Sequence, residues 1–375
     1  MDQPLEEKKQ RKLRILVAPL DWGLGHATRC IPIIRELMEQ GAEVWLAGEG
    51  QQEILLKAEF PALSFLGLPG YRVRYAATAW GLLKNMLFQT PKILKRIKEE
   101  KKWLHQKIGE YQFDAVISDN RYGLHNPAIP CLFITHQLRI KSPLGKWSEK
   151  ILQKRNYNYI NRFTACWVPD VEAQQSLAGE LSHPPTKPGI PVHYIGALSR
   201  FSSGGVAENK DRLLVVLSGP EPQRTLLENK IIDAIGHYAH HAVIVRGLPG
   251  SATLIPSTNM IKFYNHLSAA DLNKEMEAAE YIISRSGYST IMDIAALQKK
   301  SILIPTPGQT EQEYLGNYLL ENTMAYTVSQ DNFSLTESLS AAKKFNYKAF
   351  PDNNNDKMKN TIHQFLAQLS NPSLG

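Results

Sequence analysis

A histidine behind two glycines, Gly23-Leu-Gly-His26, stands where a strand-like run from Leu13 to Ala18 gives way to an amphipathic helical pattern, Ala27 to Gln40, closed by Gly41. Gly23 and Gly25 let a backbone pass close to a ligand, and amides at a helix start attract an anion. A neutral imidazole with an ordinary pKa of roughly 6.5 accepts a proton from a hydroxyl at neutral pH, which makes His26 a general-base candidate. Asp21 shares the turn and is a further candidate. The competing reading is a plain tight turn with His26 at the helix start by chance. The dinucleotide fingerprint is not met: Arg29 stands near the place of the third glycine, and Glu49 is poorly suited to a ribose in so polar a loop.

Two further strand ends carry chemistry. Ile117-Ser-Asp-Asn-Arg-Tyr-Gly123 offers Asp119, either to orient His26 or to act as the base itself, and Arg121 to hold an anionic acceptor. Thr135-His136-Gln137 places His136 similarly. The bland alternatives are an Asp119-Asn120 turn and a loop donor at His136. In doubly wound sheets ligands gather at such carboxyl ends of strands.

The second half holds a longer constellation. Ala278-Ala-Glu-Tyr-Ile-Ile-Ser-Arg-Ser-Gly-Tyr-Ser-Thr290 reads as a strand ending at Ser284, a turn of small residues, and a helix beginning near Ser289. Arg285, Ser286, Gly287, Tyr288, Ser289 and Thr290 thus surround unpaired amides and hydroxyls at a positive helix end, suited to a pyrophosphate without magnesium. Asp293, about one turn further, reaches ribose hydroxyls; alternatively it closes a capping box with Thr290. After another strand, Ser218-Gly-Pro-Glu-Pro-Gln-Arg224 places Gly219 in a turn toward the cleft. Arg224 is there either as a fixed cation for a diphosphate leaving group or as part of a rigid surface turn.

These turns need a scaffold, and the chain spells one out. Strand-like runs alternate with helical stretches at Leu13 to Ala18, Val44 to Ala47, Asp114 to Ser118, Cys131 to Thr135 and Thr164 to Val168. The rhythm restarts at Arg212 to Leu217, Ala242 to Arg246, Met260 to Tyr264, Tyr281 to Ser284 and Ser301 to Pro305. Two Rossmann-like α/β domains with parallel sheets follow: 1–198 on the acceptor side and 211–350 on the donor side, joined by a Gly- and Ser-rich linker over 199–210. A terminal helix over 351–375 is placed to pack back on the first domain. The 375 residues suffice for two buried cores. No apolar run spans a membrane, and the charged start MDQPLEEKKQRKLR lacks the apolar core of a signal peptide, so a cytoplasmic protein is expected. Cys30, Cys131 and Cys166 show no metal-ligand or disulfide spacing. The net charge of +7 favours an anionic partner.

The stretch from Ser284 to Tyr314, with its Ser-Arg-Ser-Gly turn, Ile-Ala-Ala-Leu helix, Ile-Pro-Thr-Pro strand end and Gln-containing loop, resembles the C-terminal domain of glycosyltransferase family 28. The resemblance implies a GT-B fold, two Rossmann-like domains facing across a cleft, and a nucleoside-diphosphate sugar donor, best taken as UDP-linked N-acetylglucosamine or another hexose. By the same resemblance Arg285, Ser286 and Gly287 fall in the phosphate turn, Asp293 on the ribose, and Gln312 and Glu313 near the sugar hydroxyls. His266 and Leu267 fall in the segment whose backbone holds the nucleobase. For Gln312 and Glu313 the alternative is a solvated helix start, and for the His266 ring a solvated loop. The family more often has Glu at the Asp293 position, and its longer N-terminal glycine turn is reduced here to Gly23-Leu-Gly-His26.

From Trp80 to Lys107, eight basic residues stand against Glu99 and Glu100, interleaved with apolar ones. Such a surface suits anionic lipid heads beside a lipid-linked acceptor, on the inner face of the membrane. It equally suits a helix packed on the sheet with a solvated basic face. No recognition motif points to nucleic acid. The expected chemistry is a metal-independent, cofactor-free, inverting transfer in which His26 or Asp119 takes the acceptor proton. A sugar-nucleotide 2-epimerase on the same fold and a non-catalytic sugar-nucleotide binder are the alternatives. A nicotinamide-dependent dehydrogenase is weaker, since the first turn lacks the fingerprint.

Overall fold

The computed structural model describes residues 11–72, 79–142, 144–173, 175–352 and 355–371, with the side chains of 79–88 and of 355 excepted. In the first domain β1 (Arg14–Pro19), β2 (Glu43–Gly48), β3 (Ser64–Gly67), β4 (Ala115–Asp119), β5 (Cys131–Ile134), β6 (Ala165–Val168) and β7 (Val192–Tyr194) form one parallel sheet in the order β3-β2-β1-β4-β5-β6-β7. Its helices are α1 (Leu24–Glu39), α2 (Gln51–Glu59), α3 (Ala79–Tyr111) and α4 (Lys146–Ile160).

The second sheet, in the order β10-β9-β8-β11-β12-β13, comprises β8 (Asn209–Val216), β9 (Ala242–Val245), β10 (Ile261–Tyr264), β11 (Ala279–Ser284), β12 (Lys300–Leu303) and β13 (Tyr326–Thr327), all parallel. Around it lie α5 (Gln223–Ile235), α6 (Ala269–Ala278), α7 (Tyr288–Ala296), α8 (Thr310–Glu321) and α9 (Leu335–Lys344), and the chain ends in α10 (Asn355–Ser370). The architecture is that of GT-B proteins. Three short edge strands, β3, β7 and β13, add to those visible in the sequence.

In each sheet the strand order reverses next to the strand that opens the domain, between β1 and β4 and between β8 and β11. A crevice opens at such a switch point because the following loops diverge to opposite faces of the sheet. The register pairs Pro19 with Asp119, so the His26 turn and the end of β4 are neighbours by construction. The same rule sets the Ser218-Gly219 turn beside the Arg285-Gly287 turn.

Helix α1 is pinned by its apolar stripe. Ala27, Cys30, Ile31, Ile34 and Leu37 are buried, and the helix closes where Gly41, at φ 87°, and Ala42 donate back to Met38 and Leu37. Its exposed end would fray, but α1 also packs on α7 and α10, so one hydrophobic core runs from the first sheet into the second domain. The segment before β8 is docked rather than loose: Gly204 and Gly205 donate to Glu277, and Ser199 Oγ donates to Asp293. The three cysteines are unpaired and buried. Among the described residues no helix is long and apolar enough to cross a membrane.

Helix α10 returns to the first domain, where Phe365 meets Trp167 edge-on with ring centroids 5.6 Å apart and Lys359 faces Glu36 at 3.8 Å. Removing the Phe365 ring leaves a void between α10 and β6. Phe365→Ala should therefore cost about 3 kcal/mol, read as a lower urea midpoint; an unchanged midpoint would show that α10 does not contribute to the core.

Candidate active site

The centre of the cleft is a buried cluster around Asp119. Arg29, on the second turn of α1, donates to Asp119 through Nε at 2.7 Å and through Nη2, and both side chains are inaccessible to solvent, 2% and 0% exposed. His26, one turn earlier on the same helix face, sets Nδ1 at 3.2 Å from Asp119 Oδ1 and 2.8 Å from Arg29 Nη2. Beyond β5, His136 Nδ1 lies 3.3 Å from Arg29 Nη1 and its Nε2 lies 2.7 Å from Glu311 Oε1 on α8. The His136 ring stacks on Tyr288, centroids 4.0 Å apart, whose hydroxyl donates to Pro169 O. The cluster therefore joins both domains.

Its electrostatics divide the labour. Burial pushes the Asp119 carboxyl up, but the Arg29 guanidinium and then His26 outweigh it, and Asp119 is held well below the usual carboxylate range. A carboxylate so strongly ionised is a poor base, so of the two roles open to Asp119 the structure favours orienting His26. Burial and then the Arg29 charge lower the His26 pKa, leaving a neutral ring at pH 7. Arg29, noted in the sequence only as a departure from the dinucleotide fingerprint, is the residue that sequence reasoning missed; its i, i+3 spacing from His26 was the available signal.

Several expected site residues do other work. Asp21 accepts from the amides of Tyr71 and Arg72 at 2.9 and 2.7 Å, so its carboxylate caps a loop instead of serving as a base. Arg121 is wholly buried and bound to Glu100 at 2.8 Å and to Pro69 O at 2.7 Å, which leaves it unavailable to an anionic acceptor. Arg224 is held by Glu221 at 2.6 Å and Glu228 at 3.1 Å, so its charge is already neutralised within the domain and not free for a leaving group. Arg285 bonds Gln223 O, Ile304 O, Pro305 O and Gln330 Oε1; it braces the loops around the turn between β11 and α7. Burial lowers its pKa to about 10. An arginine after a strand is drawn inward whenever carbonyls there lack donors, which sequence alone does not reveal.

The turn itself keeps its expected geometry. Gly287 is the N-cap of α7 and no side chain caps the helix, so the amides of Tyr288, Ser289 and Thr290 start it uncapped. Asp293 accordingly lies well inside α7, and no capping box with Thr290 forms. Ser286 Oγ donates to Gln312 O, and Ser289 Oγ donates to Gly25 O at 2.9 Å across the cleft. A Cβ on Gly25 would sit 2.7 Å from that hydroxyl, so this glycine is what lets the two turns touch. Gly219, at φ 106°, faces Thr306, whose buried hydroxyl has no partner among the described residues. Gln312 and Glu313 pin their own loop through Thr306 N and Gly308 N, while Glu311 is the one that enters the cleft. The His266 ring is exposed and Leu267 packs against the main core.

Behind the turn, Asp293 and Arg200 form a half-hidden polar pair. Arg200 lies over the Phe201 ring at 4.8 Å, its Nε is buried without a partner, and its charge acts on both Asp293 and His266. Among the described residues no hydrogen-bonded carboxylate holds Arg200, a residue the sequence did not single out beside Arg224 and Arg285.

Fold and site together define a GT-B glycosyltransferase. Residues 228–369 match the glycosyltransferase family 28 C-terminal domain. The UDP-N-acetylglucosamine–N-acetylmuramyl-(pentapeptide) pyrophosphoryl-undecaprenol N-acetylglucosamine transferase of Haemophilus ducreyi is 22% identical over 326 residues, 83% of each chain. Among solved structures, the glycotransferase of kitacinnamycin aligns with a TM-score of 0.62 at 14% identity, over 96% of this chain and 94% of that one. Acinetobacter baumannii MurG aligns with a TM-score of 0.54 at 13% identity, over 96% and 99%. The chain is thus a glycosyltransferase resembling family 28, with the resemblance to that family's C-terminal domain in its second half.

Burial raises the Asp293 carboxyl to about 6, against the pull of Arg200 and the Ser199 hydroxyl. Folding thus favours its protonated form, and the stability that form supplies is present below pH 4 and lost as pH rises through about 6. Asp293→Asn should remove this loss, gaining on the order of 2 kcal/mol at pH 8 relative to pH 4. Equal pH profiles for variant and wild type in urea unfolding would refute the assignment.

Proposed function

We propose that the protein transfers a hexose, N-acetylglucosamine by preference, from a UDP-linked donor to a hydroxyl of a lipid-linked acceptor, with inversion and without a metal ion. The observation that carries this reading is the uncapped start of α7 standing directly against the His26 turn. The nucleoside diphosphate lies along Gly219, the unpartnered Thr306 hydroxyl and the amides of 288–290, where the helix end supplies positive potential. Asp293 and Arg200 meet the ribose side, the backbone at His266 and Leu267 meets the base, and Glu311 flanks the sugar.

The displacement is in line. With its own proton on Nδ1 toward Asp119, His26 takes the acceptor hydroxyl proton on Nε2. The new C–O bond forms at the anomeric carbon as the bond to the departing diphosphate breaks, and the negative charge passes to the helix end. Attack opposite the leaving group inverts the configuration.

UDP should raise the melting temperature in the presence of EDTA, since a ligand of the native state at about 100 times its Kd adds about 2.7 kcal/mol. His26→Ala should keep that shift while lowering kcat by about 100-fold or more, with UDP-N-acetylglucosamine as donor and a bacterial lipid extract as acceptor. Transfer at the wild-type rate, or a retained anomeric configuration in the product, would defeat the mechanism. Conversion of the donor alone into an epimer would favour the isomerase reading.

The acceptor's membrane surface is better sought on α4 than on 80–107. The side chains of Trp80 to Phe88 lie outside the described residues, and beyond them Ile97 and Leu104 are buried while Lys95, Lys98, Lys101 and Lys102 are solvated. At the start of α4 apolar side chains face out: Trp147 is 77% exposed, Ile151 and Leu152 are exposed on the same helix and Leu144 just before it, with Lys146, Lys150, Lys154 and Arg155 exposed nearby. Vesicles containing phosphatidylglycerol should sediment the protein, and Lys154→Glu should weaken this by about fivefold or more per charge lost. Equal sedimentation with neutral phosphatidylcholine vesicles would remove the charge argument.

A further inference from the structure

One nitrogen of His26 has two partners with opposite demands. Nδ1 lies 2.8 Å from Arg29 Nη2 and 3.2 Å from Asp119 Oδ1. A guanidinium carries only donors and an ionised carboxylate only acceptors. Bare, Nδ1 accepts from Arg29 and the ring proton sits on Nε2. Protonated, it donates to Asp119, and Nε2 offers the lone pair that a base requires.

The surroundings favour the first state. Asp119 already receives two nitrogens of Arg29 and the Cys30 thiol, and of the two contacts at His26 Nδ1 the one with Arg29 is the shorter. His136 shows the same logic with one solution. Its Nδ1 faces Arg29 Nη1 at 3.3 Å and must accept, so Nε2 carries the proton and donates to Glu311 Oε1 at 2.7 Å. Tyr288 fixes that ring by stacking, and Gln137 Nε2 donates to the other oxygen of Glu311.

We propose that Arg29 is a positioning residue that holds His26 in a resting tautomer with its proton on Nε2, and that His136 and Glu311 link this state to the facing domain. In the resting state Nε2 donates a hydrogen bond and cannot take a proton, so a water entering the cleft is not activated against the donor. When hydroxyls of the bound sugar draw Glu311 away, His136 Nε2 loses its acceptor, so the stacked ring is no longer held in the tautomer whose Nδ1 accepts from Arg29 Nη1, and the guanidinium loses that anchor. The His26 proton then leaves Nε2 and Nδ1 gains one facing Asp119, with no net change in protonation. The charged or titratable groups around His26 are Arg29 on its own helix, Asp119 from β4 and His136 beyond β5, with Glu311 of α8 behind them.

The catalytic meaning rests on His26 as the base, but the tautomer is read without ligand, so the two ideas fail separately. The full-length protein, labelled with nitrogen-15 in histidine, is studied at pH 8 by long-range proton–nitrogen correlation, with His26→Gln and His136→Gln spectra to assign the signals. Both rings are expected with the proton on Nε2. Glu311→Ala, at a half-exposed position that the core does not need, should move the His26 signals toward the Nδ1-protonated form. Glu311→Gln keeps an acceptor oxygen for His136 and should restore the wild-type pattern. His26 already protonated on Nδ1 in the wild type, or unmoved by Glu311→Ala, overturns the proposal.

Discussion

A buried carboxylate at the end of β4 must be neutralised, and the rest of the site follows from how Arg29 does it. Removing one partner of such a pair strands an uncompensated charge at a cost of about 3 to 5 kcal/mol, so Arg29 and Asp119 are bound to occur together. The guanidinium has five donors, and Asp119 occupies only part of the fork. Nη2 reaches His26 as well as Asp119 and Nη1 reaches His136, which is why two histidines from different parts of the first domain converge on one cation. Because His136 continues to Glu311, the constraint that settles the first domain's switch point also touches the second domain.

The same rule explains which cations stay out of the chemistry. Arg121 after β4 and Arg224 in the first turn of α5 are neutralised by carboxylates of their own domains, and Arg285 after β11 is held rigid by neutral oxygens of its own domain. Arg200 escapes because it belongs to the docked segment between the sheets, where the nearest carboxylate, Asp293, is itself only half ionised at pH 6 by virtue of burial.

Much of this was legible in the sequence, and the exceptions have physical causes. Strands such as Ile15 to Ala18 and Ile282 to Ser284 are buried on both faces and read as unbroken apolar runs. The edge strands Ser64–Gly67, Val192–Tyr194 and Tyr326–Thr327 are too short and too half-exposed to leave such a pattern. The glycine turns were visible because glycine at a strand end has few other uses. Which side chain of 311–313 enters the cleft was not, since each step along a helix turns the side chain by about 100°. That rotation makes Glu311 the cleft residue and sends Gln312 and Glu313 back to their own loop. For the basic helix α3 the sequence left a lipid-facing and a sheet-packed reading open, and in the described part Ile97 and Leu104 are buried in the core while the lysines are solvated.

The contact between Ser289 Oγ and Gly25 O sets how the halves can work together. It is made by a side chain of the helix turn that would hold the diphosphate and a carbonyl of the turn that carries His26. Phosphate binding engages the amides of that turn and leaves the serine hydroxyl free to keep its partner, so donor binding and closure are compatible. A side chain at position 25 would force the turns apart, and the separation would reach His26 one residue later. The glycine therefore matters less for its backbone freedom than for the missing Cβ, which sets how closely the start of α7 approaches the turn that carries His26.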